Sequence, residues 1–481
     1  MNLLHLPWLE LAIAIAISGS PIVARFRDPN RAYRWGLTCI GVSFVCTFLA
    51  GLAFYVGVTT EELAHYSPQV RLFGKRTFSL DDLSAPLVPT VALLHLLTAL
   101  ATARTKMRRY SFSWSLAAES IQLATFSCVQ EQPWVLVGLL AISTLPPYIE
   151  LVNRGRPTRV YALHMALFVT LLVFGWGAVD TAESMSAVRA QFGATLLMAA
   201  ILVRCGAIPV HCWVTDWFEH ASFGIAILYV VPLSGVYAAV RLVLPIAPEW
   251  VLRCIGLISL ATAVYAAGMA VVQRDARRFF AYLFLSHASL VLVGLELRTP
   301  LSLTASLCLW FSVMLSLGGF GLALRALEAR FGRMSLIKYQ GLYGHSPTLA
   351  VCFMLTGLAS VGFPATVGFI STELLVDSAV EVSASVCVAV LTATALNGIA
   401  VVRAYLLLFT GARHVSAVSL EIGLRERIAV LTLAGLILGG GLFPQPGVSS
   451  RYLAAEQILE RRDKDRTAQT ALSARDQTPD Q

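Results

Sequence analysis

Seven residues of this chain pair a charged or titratable side chain with apolar surroundings: His164, Arg204, His211, Asp216, His220, His287 and Glu373. Histidines and carboxylates exchange protons near neutral pH, whereas an arginine keeps its charge and can only bias its neighbours. Together they suit proton transfer through a low-dielectric medium. There each ionisable group costs about 2.5–3.5 kcal/mol to place and is retained with a partner or a role. Each also has a plainer reading. Arg204, in "LVRCGAIPVH", can snorkel to an interface. Glu373 can make an ordinary polar contact, and His164, near the start of its apolar run, is the weakest of the group. His287 lies two turns into an apolar run beside Ser286. It fits a structural bond to a neighbouring carbonyl as well as a relay.

Other chemistries find little support. Nine cysteines occur singly, mostly within apolar runs, and no CxxC pair is present; this spacing supports neither an iron–sulfur cluster nor a zinc site. No GxGxxG or Walker loop appears, so no cofactor is expected on this chain. Of the 481 residues, 57% are hydrophobic and 13% charged, against roughly a quarter charged in a soluble domain. Mean hydropathy is +0.71. The bilayer is therefore the expected solvent.

The residues must be held by membrane-spanning helices. Apolar runs long enough to cross a bilayer fall at 7–25, 36–58, 85–104, 112–130, 134–152, 160–178, 190–210, 223–244, 251–272, 279–297, 301–327, 348–376, 384–410 and 426–444. This predicts about fourteen spans in an all-α polytopic fold. The first run lacks a basic start and contains Glu10, so it reads as a retained span.

Basic clusters follow alternate spans: Arg25 to Arg34, Arg104 to Arg109, Arg154 to Arg159, Arg274 to Arg278, and Arg330 to Lys338. Intervening loops are neutral or acidic, as at Asp180 and Glu183. The net charge of +8 thus reads as a topology signal rather than a nucleic-acid footprint. It predicts both termini on the non-cytoplasmic side of a bacterial inner membrane. Arg274, Asp275, Arg277 and Arg278 cap the cytoplasmic end of a span, with Asp275 favoured at a helix N-terminus. Pro146 and Pro147, Pro209, and Gly362 with Pro364 interrupt spans five, seven and twelve. Breaks of this kind are tolerated only where protein or a water-filled cavity surrounds them. They mark an ion path or a packing kink. The tail from residue 451 is polar, of mixed charge, and expected to lack a buried face and to fray.

Several strings then resemble one family. "VQRDARRFFAYLFLSHASLVLVG" is similar to the loop and helix of the antiporter-like subunits (chains L, M and N) of respiratory complex I and of multisubunit cation/proton antiporters. The match runs through Gln273, Asp275, Arg277, Arg278, Ala281, Tyr282, Ser286 and His287. "IPVHCWVTDWFEHA" resembles the family's stretch after span seven through Pro209, His211, Trp213 and Asp216. "YQGLYGHSP" matches a linker through Gly341, Leu342 and Pro347. "ASVGFPATVGFISTELL" resembles the broken twelfth helix through Gly362, Pro364, Gly368, Phe369 and Glu373, and "VVRAYLLLFTG" the end of span thirteen. The likeness covers roughly residues 110–415, with chain M the nearest type. It implies two inverted five-helix repeats, spans four to eight and nine to thirteen. The chain then divides into three leading helices (1–110), a proton-conducting core (111–415), a last span (416–450) and a polar tail (451–481).

The resemblance also implies a midplane string of ionisable groups, and here the chain departs. Where the family has a glutamate in span five stands Ala141. The span-seven lysine is replaced by Arg204, the basic residue of span eight by Leu233, and the histidine of span eleven by Ser312. The terminal group of span twelve falls at Thr372, with Glu373 adjacent. The expected role is that of a membrane-arm subunit contributing to proton translocation, without a redox centre of its own. NADH and quinone would be handled only by the complex, and the partners would be other membrane subunits and the bilayer. Two rivals use the same scaffold: the membrane subunit of an ion-gradient-driven inorganic carbon pump, and a non-conducting scaffold.

Overall fold

The computed structural model describes residues 6–57, 71–72, 75–180, 187–296, 299–412 and 421–475; Glu183 and the last six residues lie outside this set. The chain opens with α1 (Trp8–Ala24) and α2 (Pro29–Tyr55), then a small hairpin of β1 (Arg71–Leu72) and β2 (Lys75–Arg76). Next come α3 (Ser84–Leu100), α4 (Phe112–Ser127), α5 (Pro133–Ile142), α6 (Leu145–Asn153), α7 (Arg159–Asp180) and α8 (Ala187–Cys205). The short helices α9 (Cys212–His220), α10 (Phe223–Val230) and α11 (Ser234–Ala238) lead into a π turn at Ala239–Val243. The remainder is α12 (Glu249–Val272), α13 (Ala276–Glu296), α14 (Pro300–Phe331), α15 (Pro347–Ser360), α16 (Val367–Val382), α17 (Ala384–Phe409), α18 (Leu424–Leu442) and α19 (Gln445–Arg475).

Among the described residues nine helical spans are long and apolar enough to cross a membrane, or ten if the bent pair α18 and α19 is counted as one. The chain is thus an all-helical multi-pass membrane protein. Burial grades the helices. The stretch Phe223–Val243 is fully buried within the protein and Pro300–Phe331 is 94% buried, while Arg159–Asp180 is only 22% buried. The first two lie in the interior of the protein. The last turns Leu163, Leu167 and Phe174 outward, as a lipid-facing helix must. Neighbouring helices approach closely where side chains are small: a β-carbon at Gly193 on α8 would sit 2.8 Å from the carbonyl oxygen of Gly175 on α7.

Local chemistry moves some boundaries. Helix α2 starts seven residues before the expected run because Asp28 accepts the backbone N–H of Asn30 at 3.0 Å and Pro29 occupies the first turn. A reciprocal Thr299–Ser302 cap starts α14, which runs on to Phe331 until Gly332 turns at φ 76°. The breaks expected in spans five, seven and twelve are present, between α5 and α6, α8 and α9, and α15 and α16. At the last, Gly362 and Ala365 take positive φ values of 86° and 65°.

A fourth break was not expected. Leu233 adopts φ 55° after Pro232, which has no N–H to continue the ladder. The carbonyl oxygens freed there are satisfied from neighbouring helices: Trp310 donates Nε1–H to Pro232 at 3.1 Å and Gln122 donates to Leu228 at 2.8 Å.

The tail also departs from expectation. Helix α19 turns 79° from α18 and buries Ala454, Ala455, Arg451 and Arg462. Arg451 donates to the carbonyl of Leu83 at 3.1 Å and Arg462 to that of Ala247 at 3.2 Å. Mixed charge conceals this docking in the sequence, because the helix is held by arginines on loop carbonyls rather than by an apolar stripe.

Candidate functional site

Arg204 ends α8, and 6% of it is exposed. Its guanidinium donates to Ser234 Oγ at 2.7 Å and lies 4.1 Å from the Tyr229 ring centroid, with the Phe168 and Trp213 rings each at 5.9 Å. Among the described residues no carboxylate pairs with it within 4 Å. A buried cation is thus held by ring faces and one hydroxyl. The unexpected bend at Leu233 places Ser234, and Gly235 leaves room: a β-carbon there would sit 3.1 Å from Arg204 Cγ. The Tyr229 hydroxyl lies 3.0 Å from that of Tyr161, which in turn is 3.0 Å from the Thr144 carbonyl oxygen.

Beside this cation stand three groups that the sequence reading passed over. His95 on α3 is fully buried, its Nε2 3.0 Å from Gln122 Oε1. Because Gln122 commits its N–H to Leu228, its oxygen faces the ring and Nε2 carries the proton. Nδ1 then has no partner and is free to accept. Glu150 on α6 is 3% exposed and lies 3.5 Å from Arg154.

Two voids of about 10 Å³ each connect these groups, each near the minimum that admits one water. The first is lined by Glu150, Pro146, Ser115, His95 and Tyr229; the second by Gln122, Ser143, Arg204, Ser234 and Tyr229. Arg154 itself lines a crevice of about 530 Å³ at the end of the molecule bearing the Arg104–Arg109 turn. The order is therefore crevice, Glu150, void, His95 with Gln122, void, Arg204. Glu119, one turn before Gln122, is fully buried with neither carboxylate oxygen partnered, but lines neither void.

The other residues singled out in the sequence do not join this string. Ser286 donates to the Ala263 carbonyl at 2.9 Å and accepts from Asn397 at 2.8 Å, a structural bracket. His287 beside it is 1% exposed, and neither ring nitrogen has a partner. His164 lies 3.3 Å from Cys212 Sγ; the His211 ring is 5.4 Å from Tyr265; Asp216 is 3.2 Å from His220. These line the partly exposed side of α9 and its lead-in, whose buried side carries Trp213. Glu373 is exposed, while the Thr372 hydroxyl lies where a β-carbon on Gly362 would meet it at 3.0 Å. Ser312 is buried with its hydroxyl unpartnered, and Ala141 supplies only a carbonyl, to Thr144 at 2.7 Å.

Asp275 caps α13, accepting N–H bonds from Arg277 and Arg278 at 2.9 and 3.1 Å. Arg277 in turn pairs with Glu328, and Arg278 with Glu219, both at 2.6 Å. Pro209 and Pro364 sit at the helix breaks. Among the described residues no three His, Cys, Asp or Glu side chains converge as a metal site would require.

A signal for His95 and Glu119 exists. "TVALLHLLTAL" and "LAAESIQLATF" each place a single titratable residue at the centre of an otherwise uncharged run, the pattern that marks a costly and therefore purposeful polar group.

Comparison with known proteins shows what this chain is similar to. Residues 161–397 match the family described as NADH:quinone oxidoreductase/Mrp antiporter, TM. The NAD(P)H-quinone oxidoreductase chain 4 of Synechococcus sp. is 27% identical, over 95% of this chain and 90% of that protein. Among solved structures, a chain of respiratory complex I from Thermus thermophilus superposes with a TM-score of 0.83 at 22% identity, covering 94% of this chain and 99% of that one. A chain of the Mrp complex from Dietzia sp. gives 0.79 at 19% identity, over 95% and 98%.

Proposed function

We infer that this chain, which is similar to antiporter-like membrane subunits of the NADH:quinone oxidoreductase/Mrp antiporter family, carries protons through the membrane arm of a multisubunit complex in which partners perform the electron transfer to quinone. The observation that carries this reading is the buried string Glu150, His95, Gln122 and Arg204, joined by two water-sized voids and opening at a basic crevice. Glu150 takes a proton from the crevice. His95, with Nδ1 free, receives it across the first void. Arg204 cannot release a proton; its fixed charge sets how strongly a proton is held on His95 and is screened by the ring faces around it. His287, buried with neither ring nitrogen partnered, marks a second leg in the later half, and Glu373 stands exposed on the outer face.

The same reading gives fourteen passes: the nine long spans, the shorter helices α1, α3, α4 and α18, and the pass broken between α15 and α16. Spans four to eight and nine to thirteen form two inverted repeats, supported by helix breaks at the seventh and twelfth passes. The alternation of basic loops puts both termini on the non-cytoplasmic side of a bacterial inner membrane.

Proton flux into proteoliposomes containing the native complex tests this. Glu150→Gln and His95→Gln keep volume and hydrogen bonding but remove titration, and each is expected to lower flux at least about ten-fold. Unchanged flux in both variants overturns conduction along this path. It leaves a scaffold, the reading favoured by Ala141, Leu233 and Ser312 standing where the family resemblance implies ionisable groups.

A further inference from the structure

The crevice of about 530 Å³ at the mouth of this path has a feature that proton conduction does not require. Its wall is cationic, and only part of that charge is matched. Arg154 faces Glu150, Arg277 is clamped by Glu328, and Arg333 reaches Glu219 at 3.7 Å and Asp275 at 3.5 Å. Lys106, Arg109, Arg156 and Arg325 line the same space, and among the described residues none has a carboxylate within 4 Å.

Arg325 is the most informative. It comes from the last third of α14 and lies at the floor, donating to the Thr98 carbonyl at 2.6 Å and Thr102 Oγ1 at 2.9 Å, with the Tyr110 ring centroid 5.1 Å away. Gly224 is pressed against it; a β-carbon there would stand 2.7 Å from Arg325 Cζ. The fold thus makes room for a guanidinium at depth and gives it neutral acceptors only. A cation withdrawn from bulk water is costly without a counter-charge, and a guanidinium fork matches phosphate oxygens in particular.

We propose that this crevice is a binding site for a net-anionic phosphate group, with Arg325 at its floor and Lys106, Arg109 and Arg156 at its rim. Its volume lies within the range of small-ligand sites, about 300–1,000 Å³. Its place between helix ends on the basic-loop face is where phosphate headgroups of anionic lipids are taken. A free phosphate from solution offers the same chemistry.

The test uses the full-length chain, purified in detergent and stripped of lipid. Native mass spectrometry and thermal shift follow titration with cardiolipin, phosphatidylglycerol and phosphatidylcholine, and separately with inorganic phosphate and pyrophosphate. Saturable binding of one phosphate anion per chain is expected. The rim variant Lys106→Ala/Arg109→Ala/Arg156→Ala should weaken it by about a hundred-fold, from three cations each contributing near the surface. Arg325→Gln should weaken it further; should that variant fail to fold, the rim variant still decides.

Response to anionic lipid alone assigns a headgroup, and response to free phosphate alone a soluble anion; either supports the site. Equal affinity for phosphatidylcholine and phosphatidylglycerol overturns it. So does unaltered affinity in the rim variant, or capture of a polyglutamate peptide with no response to phosphates. Proton flux is not the readout, so the site and the conduction path stand or fall separately.

Discussion

At the scale of single residues, the centre of the molecule is a charge without a counter-charge. Arg204 is kept by Ser234, three ring faces and the backbone bend that positions them. Removing the hydroxyl leaves a buried guanidinium N–H unsatisfied, which costs more than the bond is worth. Ser234→Ala should therefore lower stability by about 1–2 kcal/mol, read as thermal unfolding in detergent. Ser234→Thr, which restores the hydroxyl, should recover most of it; equal stability of all three proteins would show that Arg204 is satisfied by other means. Arg204 was legible in the sequence as a charge in an apolar run beside a proline. His95 and Glu150 were not singled out, although the same criterion applies to both. What concealed them is that their relation to Arg204 exists only across helices. Neither separation along the chain, from residue 95 to 122 or from 150 to 229, corresponds to any helical or strand period.

At the scale of elements, function depends on where helices stop. Three breaks coincide with prolines or glycines and were readable. The fourth, at Leu233, has Pro232 before it, yet the run "VVPLSGVYAAVRL" is apolar enough to read as an unbroken span. Tertiary hydrogen bonds from Trp310 and Gln122 make that bend affordable by satisfying the freed carbonyls. The break between α15 and α16 depends on close backbone approach instead. A β-carbon at Gly368 would run into the carbonyl oxygen of Ala359, so Gly368→Ala must separate the two half-helices. It is expected to cost more than about 2 kcal/mol and to reduce the amount of folded protein. Gly435→Ala on α18 is the matched control: nothing lies within 4 Å of its new methyl group. It should be neutral or stabilising by about 0.5–1 kcal/mol. Similar losses in both variants, measured as folded yield and melting temperature, would refute the close-packing account.

At the scale of the whole molecule, the two membrane faces are closed by different charge systems. On one, Arg277, Arg278, Arg330 and Arg333 knit the ends of α9, α13, α14 and α18 to Glu219, Asp275, Glu328 and Glu426. On the other, Asp81 in the loop before α3 pairs with Arg241 at 2.6 Å, and Arg451 of α19 anchors the carbonyls beside it. Burial pushes the Asp81 carboxyl up, but the Arg241 guanidinium and hydrogen bonds from Ser84 outweigh it, holding the group below its ordinary range. A carboxylate whose folded pKa lies below its unfolded value of about 3.9 stabilises fully above that pH. That stability is lost as pH falls through the folded value. Asp81→Asn should therefore lower the melting temperature at pH 7, and the difference should shrink as pH falls below about 3.9 and through the folded value. A uniform offset across the titration would show that Asp81 contributes by packing and not by charge.

The sequence by itself determined the solvent, the helical class, the loops that carry positive charge and most of the breaks. All of these follow from local composition and from the bilayer's demand that every backbone group be bonded within its own segment. Only the tertiary structure decided which titratable groups meet. It brought His95 and Glu150 to Arg204, left Glu373 on the outer face, and docked a polar tail as a helix anchored by four buried residues. The reason is physical: proton transfer and charge pairing act over a few ångströms in space, and helices far apart in sequence supply the two ends of every such contact.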